Sequence, residues 1–452
     1  MSSTMEAAED RPSQLRIYLV VLAVSTIYLS TGMVTGWSSP VLPKLTLTVQ
    51  EQGLVTSLAF FEAAPGPFVT TFCLDTIGRK GTLFTILSFY LASWTILLIS
   101  QSVYVIYIGR LFAGLGISGS ISAVPVYISE VALPEIRGRL GAASTMMMSL
   151  GGLLMYLVGP SVSYTTISIF GMSLSLLSLV IFFVPESPFH HINKGRKKEA
   201  KITLQKLRGY STQEKLEEEL EEIIKTITQK EENAIGWLEG LKRRAALKGI
   251  GLGIFLSSMT YLSGLVVQWA YAQTIFTSFE LSFPASYIGV LNTFSNILFS
   301  FIPVLLVNKC IGMKGGIVIS AFGCGLTCIF LGVYFYVIKA GYDLYDYSYL
   351  AIVLSVANTV SHSFGLGSLV YTMEAELMPT SVKGIGMGIV VCSGSLIGFG
   401  VLQMFPIIAS AYGYSTDFFG LGIIMLVFAT LGIFILPDTT GKTLQEIEEL
   451  LS

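Results

Sequence analysis

Charge is scarce in this chain. Of 452 residues only 12% are Asp, Glu, Lys or Arg, against 52% hydrophobic, and the mean hydropathy is +0.70. A soluble domain carries about 25% charged residues, so an aqueous globular protein is excluded and an integral membrane protein is implied. The net charge of −2 is spread between apolar runs and leaves no nucleic-acid footprint. The five cysteines (Cys73, Cys310, Cys324, Cys328, Cys392) lack metal-ligand or disulfide spacing and read as buried small apolar residues. There is no GxxxxGK[ST] phrase, hence no sign of ATP use, and no Asn-x-Ser/Thr sequon. No catalytic or cofactor-binding pattern is present, so the chain is expected to be neither an enzyme nor the holder of a cofactor or metal. Residues 1–16 are polar and mildly acidic, without the pattern of a cleaved signal; the first apolar run is expected to direct insertion.

What is present is a series of apolar runs close to the ~20 residues that cross a bilayer. They lie at about 17–37, 53–73, 82–101, 104–127, 140–159 and 165–184, then at about 249–276, 284–307, 315–338, 347–373, 384–411 and 416–436. Lone prolines within them (Pro65, Pro67, Pro125, Pro303, Pro406) argue little against helix, being tolerated in membrane spans. The expected fold is all-α, twelve transmembrane helices in two six-helix bundles, residues 17–184 and 249–436. A tail (1–16), a linker (185–248) and a C-terminal tail (437–452) complete the chain. Of the 27 basic residues, only Lys44, Lys339 and Arg110 fall toward one side, so the positive-inside rule places both termini and the linker in the cytoplasm. Leu204, Leu207, Leu216, Leu220, Ile223, Ile224 and Ile227 recur at near-helical spacing in that linker, consistent with short amphipathic helices or with a solvated charged connection.

One charged phrase occurs twice. ProValTyrIleSerGlu (125–130) leads to Arg137, and Glu376 leads at the same interval to Lys383. AspThrIleGlyArgLys (75–80) occupies the turn between the second and third runs, where Gly78 permits a tight reversal. ProGluSerPro (185–188) follows the sixth run and ProAspThrThrGlyLysThr (437–443) the twelfth. With GlyArgLeuPheAlaGlyLeuGly (109–116), these phrases closely resemble the sugar-porter branch of the major facilitator superfamily over nearly the whole chain. GlyTrpSerSerPro (36–40) and GluAlaLysIleThrLeuGlnLysLeuArgGly (199–209) look like its insect trehalose-transporter-like subgroup.

The resemblance implies two bundles rocking about a central cavity and a cytoplasmic latch of Asp75, Arg79, Glu130 and Arg137, with Glu376 and Lys383 as counterparts. The plainer reading makes these only surface anchors. The second half departs from the family. Lys309-x2-Gly312-Met313-Lys314 has lost the acid and the arginine of the first copy, and the seventh-span glutamines and asparagine are replaced by Thr260, Tyr261 and Val266. The fifth-span glutamine is Thr145, and the tenth-span Gly-Pro-x-Pro-Trp is Gly367 to Tyr371. Hydroxyl-rich solutes need paired donors and acceptors, which amides supply, so the substrate site must be drawn from what remains: Thr145, Tyr261, Ser263, Gln268, Tyr271, Gln273, Asn292, Asn296 and Tyr371. Interhelical hydrogen bonding is an equal reading for the amides, and Trp269 reads as packing.

Three ionisable groups lie within spans. Arg110 is expected to face the bundle interior or to snorkel, since a cation costs roughly 2.5–3.5 kcal/mol at the bilayer centre. Glu62 and His362 permit a proton-coupling hypothesis, against which both stand neutral and hydrogen-bonded. Val34 occupies the first-span position that is Asp in proton-sugar symporters of the family, which favours a uniporter. The expected function is facilitated diffusion of a small polar solute, a sugar of the trehalose or hexose class, through the plasma membrane by a chain assumed monomeric. The alternatives are a poorly transporting sugar sensor and a proton-coupled carrier of another solute.

Overall fold

The structure, a computed structural model, describes residues 14–209, 213–232, 237–279, 282–300, 311–379, 382–442 and 444–451. In hydrocarbon each backbone polar group needs an internal partner, and the described residues are accordingly helical throughout. In the first half, α1 (Gln14–Gly36) runs into the short α2 (Ser38–Val41). The second span is broken into α3 (Val49–Ala63) and α4 (Gly66–Thr76), set 43° apart. There follow α5 (Gly78–Ile99), α6 (Val103–Val131), α7 (Pro134–Val158) and α8 (Tyr164–Leu176), the last extended by a tighter 3-10 turn to Phe183.

The second half repeats the plan with α13 (Arg244–Leu262), α14 (Leu265–Thr277), α15 (Ser286–Phe299), α16 (Gly312–Lys339), α17 (Tyr349–Phe364), α18 (Leu369–Leu377), α19 (Lys383–Tyr412) and α20 (Tyr414–Ile435). The pairs α13/α14 and α17/α18 each make one broken span. Ten stretches are long and apolar enough to cross a membrane by themselves, and the bent α3/α4 pair makes an eleventh. The remaining run contains α15 and continues into 301–310, so Pro303, Lys309 and Cys310 lie outside the described residues. Pro125 and Pro406 sit inside continuous helices, whereas Pro65 marks the break in the second span. The reason is local: Pro65, Gly66 and Pro67 come together, removing two N–H donors within one turn.

Small residues set the helix spacing. A Cβ on Gly114 would strike the Ala59 carbonyl, one on Gly116 would lie 2.5 Å from the Tyr90 ring, and one on Gly119 2.7 Å from Ile86. The sixth helix thus packs at backbone distance against α3 and α5. On the face away from the linker, hereafter the far face, Lys44 donates to the carbonyls of Gly159, Pro160 and Val162 and ties the end of the first span to the end of the fifth.

The linker is helical as its periodicity suggests: α9 (Pro188–Asn193), α10 (Lys197–Arg208), α11 (Gln213–Glu232) and α12 (Trp237–Lys242). Leu204, Leu216 and Ile223 form a small buried core with Leu220 and Ile227. It is fastened to the first half: Arg208 donates to the Val131 carbonyl at 2.7 Å, and Arg16 to that of Lys206 at 3.0 Å. The C-terminal helix α21 (Leu444–Leu451) packs on α13 and α18 of the second half.

The halves meet mainly along α3/α19 and α7/α15. Four side-chain hydrogen bonds cross between them among the described residues: Ser57 to Gln403, Ser149 to Asn296, Tyr156 to the Trp269 carbonyl, and the Gln273 amide to Ser39. All lie from the middle of the spans to the far face. Toward the linker face no ion pair joins the halves among the described residues, and a Cβ on Gly138, Gly141 or Gly384 would meet nothing within 4 Å. The molecule is closed at the far face and open at the linker face.

Candidate functional site: the central seam and its charged collar

The seam between halves carries four of the residues singled out from sequence. Ser149 on α7 donates to Asn296 Oδ1 at 3.4 Å, and Asn296 Nδ2 donates to Ser363 at 3.0 Å, so one amide bridges both halves. Thr145 lies one turn nearer the linker face on the same side of α7 and is exposed, which puts its hydroxyl on the cavity wall. Opposite, Tyr371 on α18 is 52% exposed. Tyr261 of α13 meets Phe60 across the seam edge-on, ring centroids 6.0 Å apart, and lies flat against Gly394 and Gly398 of α19. Hydroxyls, one bridging amide and aromatic faces are what a polyhydroxylated ring needs: paired donors and acceptors beside apolar C–H surface.

Other sequence-derived residues are engaged elsewhere. Gln268 and Asn292 are fully buried inside the second half. Gln268 donates to Asn358 at 3.0 Å and accepts from Ser355, while Asn292 donates to Ser355 at 2.8 Å. Asn358 in turn reaches the Ser263 carbonyl and Thr327. This network surrounds the break between α13 and α14, where Gly264 has φ +83° and the Ser263 hydroxyl returns to the Thr260 carbonyl. It satisfies backbone groups that the break leaves open. Tyr271 and Gln273 lie toward the far face: Tyr271 donates to the Leu402 carbonyl at 2.8 Å and stacks on Phe405, and the Gln273 backbone amide donates to Ser39 at 3.1 Å.

Arg110 faces the interior. Its guanidinium donates to the carbonyls of Val55 and Val34 at 2.9 and 3.0 Å, with Trp37 5.2 Å from its carbon. Backbone carbonyls at the ends of α1 and within α3 therefore replace the water that a buried cation needs. Glu62 is half-buried beside the α3/α4 break, and His362 is 5% exposed with both ring nitrogens unpartnered; no bond joins the two.

At the linker face the first charged phrase closes on itself. Arg79 binds Glu130 through Nη2 to Oε1 at 2.6 Å and Nε to Oε2 at 2.8 Å, a bidentate pair with both side chains largely shielded. Its Nη1 donates to the Leu74 carbonyl and to His190 Nδ1 at 3.3 Å. The Glu186 carboxylate of ProGluSerPro accepts the backbone N–H groups of Arg79, Lys80 and Ser187 at 3.0, 3.2 and 2.8 Å, capping the start of α5 where the helix dipole favours an anion. Gly78 has φ +84° and a Cβ there would collide with Glu186. His190 is buried against this cluster. Burial foremost, then the charges of Arg79, Lys194 and His191 against the opposing pull of Glu186, hold its imidazole below the usual histidine range.

The second copy keeps the geometry with a neutral hydroxyl accepting the backbone N–H. Gly312, φ +72°, lies against Thr440 and Asp438, and Thr440 accepts the Met313 N–H at 2.8 Å. The loop after the twelfth span thus does for α16 what Glu186 does for α5. Its hydrogen bonds to Thr440, aided by Lys442 and Lys314, hold the Asp438 carboxyl below the ordinary carboxylate range although burial opposes this. Asp75, Arg137, Glu376 and Lys383 make no ion pair among the described residues. Sequence reasoning missed Ser149, Ser363, His190 and the acid Glu374; single hydroxyls carry no pattern, and only Glu374, an acid inside an apolar run, left a readable mark. A cavity of about 740 Å³ between α10 and α11 lies outside the spans and away from this seam.

Comparison with known proteins agrees with this arrangement. The profile of the family described as Sugar (and other) transporter matches residues 11–451. The chain is 27% identical over 471 residues to the facilitated trehalose transporter Tret1 of Polypedilum vanderplanki, spanning 98% of this chain and 92% of that one. It is 29% identical over 454 residues to sugar transporter ERD6-like 6 of Arabidopsis thaliana, spanning 97% and 91%. Among solved structures, the inward-open conformation of the xylose transporter XylE from E. coli superposes with a TM-score of 0.79 at 19% identity, covering 96% of this chain and 99% of that one. XylE bound to 6-bromo-6-deoxy-D-glucose gives 0.75 at 19%, covering 97% and 100%. That likeness is one of fold, the twelve-helix, two-bundle architecture of the major facilitator superfamily, and the chain belongs to its sugar transporter family.

Proposed function

We propose that this protein carries a sugar of the trehalose or hexose class, trehalose being the sugar for which several of its relatives are named, down its gradient by alternating access. The observation that carries the reading is the seam itself: bonded from the middle to the far face, open toward the linker face, and lined there by Thr145, Asn296, Tyr261 and Tyr371. Basic residues concentrate on the linker face, which supports a cytoplasmic linker face with both chain ends inside and an inward-facing conformation, in a membrane we take to be the plasma membrane. Residues 17–184 and 249–436 are the two moving bodies, and 185–248 the connection. Asp75, Arg79, Glu130, Arg137, Glu376 and Lys383 form the collar that fastens the cytoplasmic side when it closes. A sensor with little transport is favoured by one observation, the burial of Gln268 and Asn292 inside the second half, where they bond to Asn358 and Ser355.

Uptake of labelled trehalose, glucose and xylose into proteoliposomes separates the readings. A carrier gives saturable, counterflow-competent uptake that stops at equal concentration on both sides, and Asn296→Ala slows it about tenfold by removing the amide that bridges the halves and leaving the Ser149 hydroxyl unpaired. If no sugar enters faster than into empty vesicles, the carrier reading falls and the sensor remains.

A further inference from the structure

Glu374 stands out among the buried polar groups. It lies on α18, 1% exposed, in the linker-side half of its bundle. Oε1 accepts from Ser257 of α13 at 2.8 Å, and Oε2 has no partner. Among the described residues no cation pairs with it. The phenols of Tyr261 on α13 and Tyr371 on its own helix feel its charge. Charged residues of the elements packed against α18 sit nearer the helix ends: Arg244 and Lys248 on α13, Lys314 on α16, Lys383 on α19, and Glu446, Glu448 and Glu449 on α21, with Glu376 on α18 itself. A carboxylate with a bare oxygen and no counter-charge is costly to bury.

We propose that Glu374 is a proton-binding site of the second bundle, whose occupancy by a proton taken from the linker-side cavity favours the conformation open to that side. The inference rests on the alternating-access reading. The proton has a short path, because Tyr371, one turn earlier on the same helix, stands on the open cavity wall. The opposite state supplies the differential affinity that a switch requires. Arg137 and Arg139 are exposed and without ion pairs here, and closing the linker face brings them toward α18, where a cation favours the ionised carboxylate. Acid on the linker side therefore holds the molecule open, and alkali releases it. The proposed sugar movement remains passive, since the site exchanges its proton with one side only.

The test reads opening directly, without solute. Ala142 is exposed on the same side of α7 as Thr145 and Ser149, so Ala142→Cys in a background freed of the five native cysteines reports access from the linker side. Labelling by a polar maleimide, corrected for the reagent's own pH dependence with an always-exposed cysteine, should rise about tenfold between about pH 8 and about pH 5. Glu374→Gln, a neutral mimic of the protonated acid, should label fast and equally across that range. Ser257→Ala, which removes the one bond to the carboxyl, should shift the midpoint of the response. The same pH response in Glu374→Gln as in the parent overturns the proposal, and so does a Ser257→Ala midpoint equal to the parent's should the glutamine variant fail to fold. Absence of sugar uptake leaves this readout untouched, so the two failures are told apart.

Discussion

At the residue scale the most consequential contact is that of His190 with Arg79. The imidazole accepts from Arg79 Nη1, which requires a lone pair on Nδ1 and hence the neutral ring; a proton there would set two donors and two positive charges face to face. Because the folded protein holds this histidine below its ordinary value, its contribution to stability is fully present above the unfolded value of about 6.5 and is lost as pH falls from there through the lowered folded value. Thermal melts of the purified protein should drop on going below about pH 6. His190→Gln, which keeps an acceptor and cannot titrate, should remove part of that drop; identical pH profiles for both proteins would count against the contact. The glycine, the arginine and the two carboxylates of this cluster were legible in the sequence because a tight turn and a charge-bearing phrase leave a pattern. The histidine was not, since nothing in HisHis after ProGluSerProPhe says which element it will face.

At the scale of elements, the twelve runs were readable from length and hydropathy alone, but their interruptions were not. The second span bends at Pro65, and the seventh and tenth break at Ser263–Gly264 and Gly365–Ser368. Glycine and proline are common enough in membrane helices that their presence does not announce a break; the neighbours decide it. At Gly264 they do so through Asn358 and Cys328, whose Sγ would lie 2.5 Å from an added Cβ. Gly264→Ala therefore meets two separable penalties, a positive φ worth roughly 1 kcal/mol or more and a collision with sulfur. Adding Cys328→Ala should relieve the second and leave the first, so the double variant melts between Gly264→Ala and the parent; simple additivity of the two losses would show that the sulfur is not the obstacle. The same break explains the amides. Gln268 and Asn292 were grouped from sequence with a substrate site because polar residues in apolar runs invite it, yet both bond to side chains inside the second half, Gln268 to the Asn358 that reaches the backbone of the interrupted helix.

At the scale of the molecule, the doubled phrase predicted a doubled machine, and the two copies do build the same corner twice: Gly78 under Glu186, Gly312 under Asp438 and Thr440. What differs is charge, which the sequence showed, and pairing, which it could not. In this open state the first copy is bonded within its own half, while Arg137, Glu376 and Lys383 stand apart. If Arg137 fastens the closed state, Arg137→Ala leaves the present contacts intact and raises labelling at Ala142→Cys several-fold at neutral pH; unchanged labelling would reduce the collar to a surface anchor.

The linker's attachment has a consequence for motion as seen from the lipid. Rocking is relative, and drag decides which body turns. Arg208 and Arg16 fix the linker to the first bundle alone, and with it travel Lys194, Arg196, Lys197 and Lys198, a basic raft suited to anionic headgroups. The second bundle carries a short helical tail and its own linker-face cations, Arg244, Lys248, Lys314 and Lys383. The linker and the first half are thus joined as one body, which carries that raft with it in any rocking of the halves.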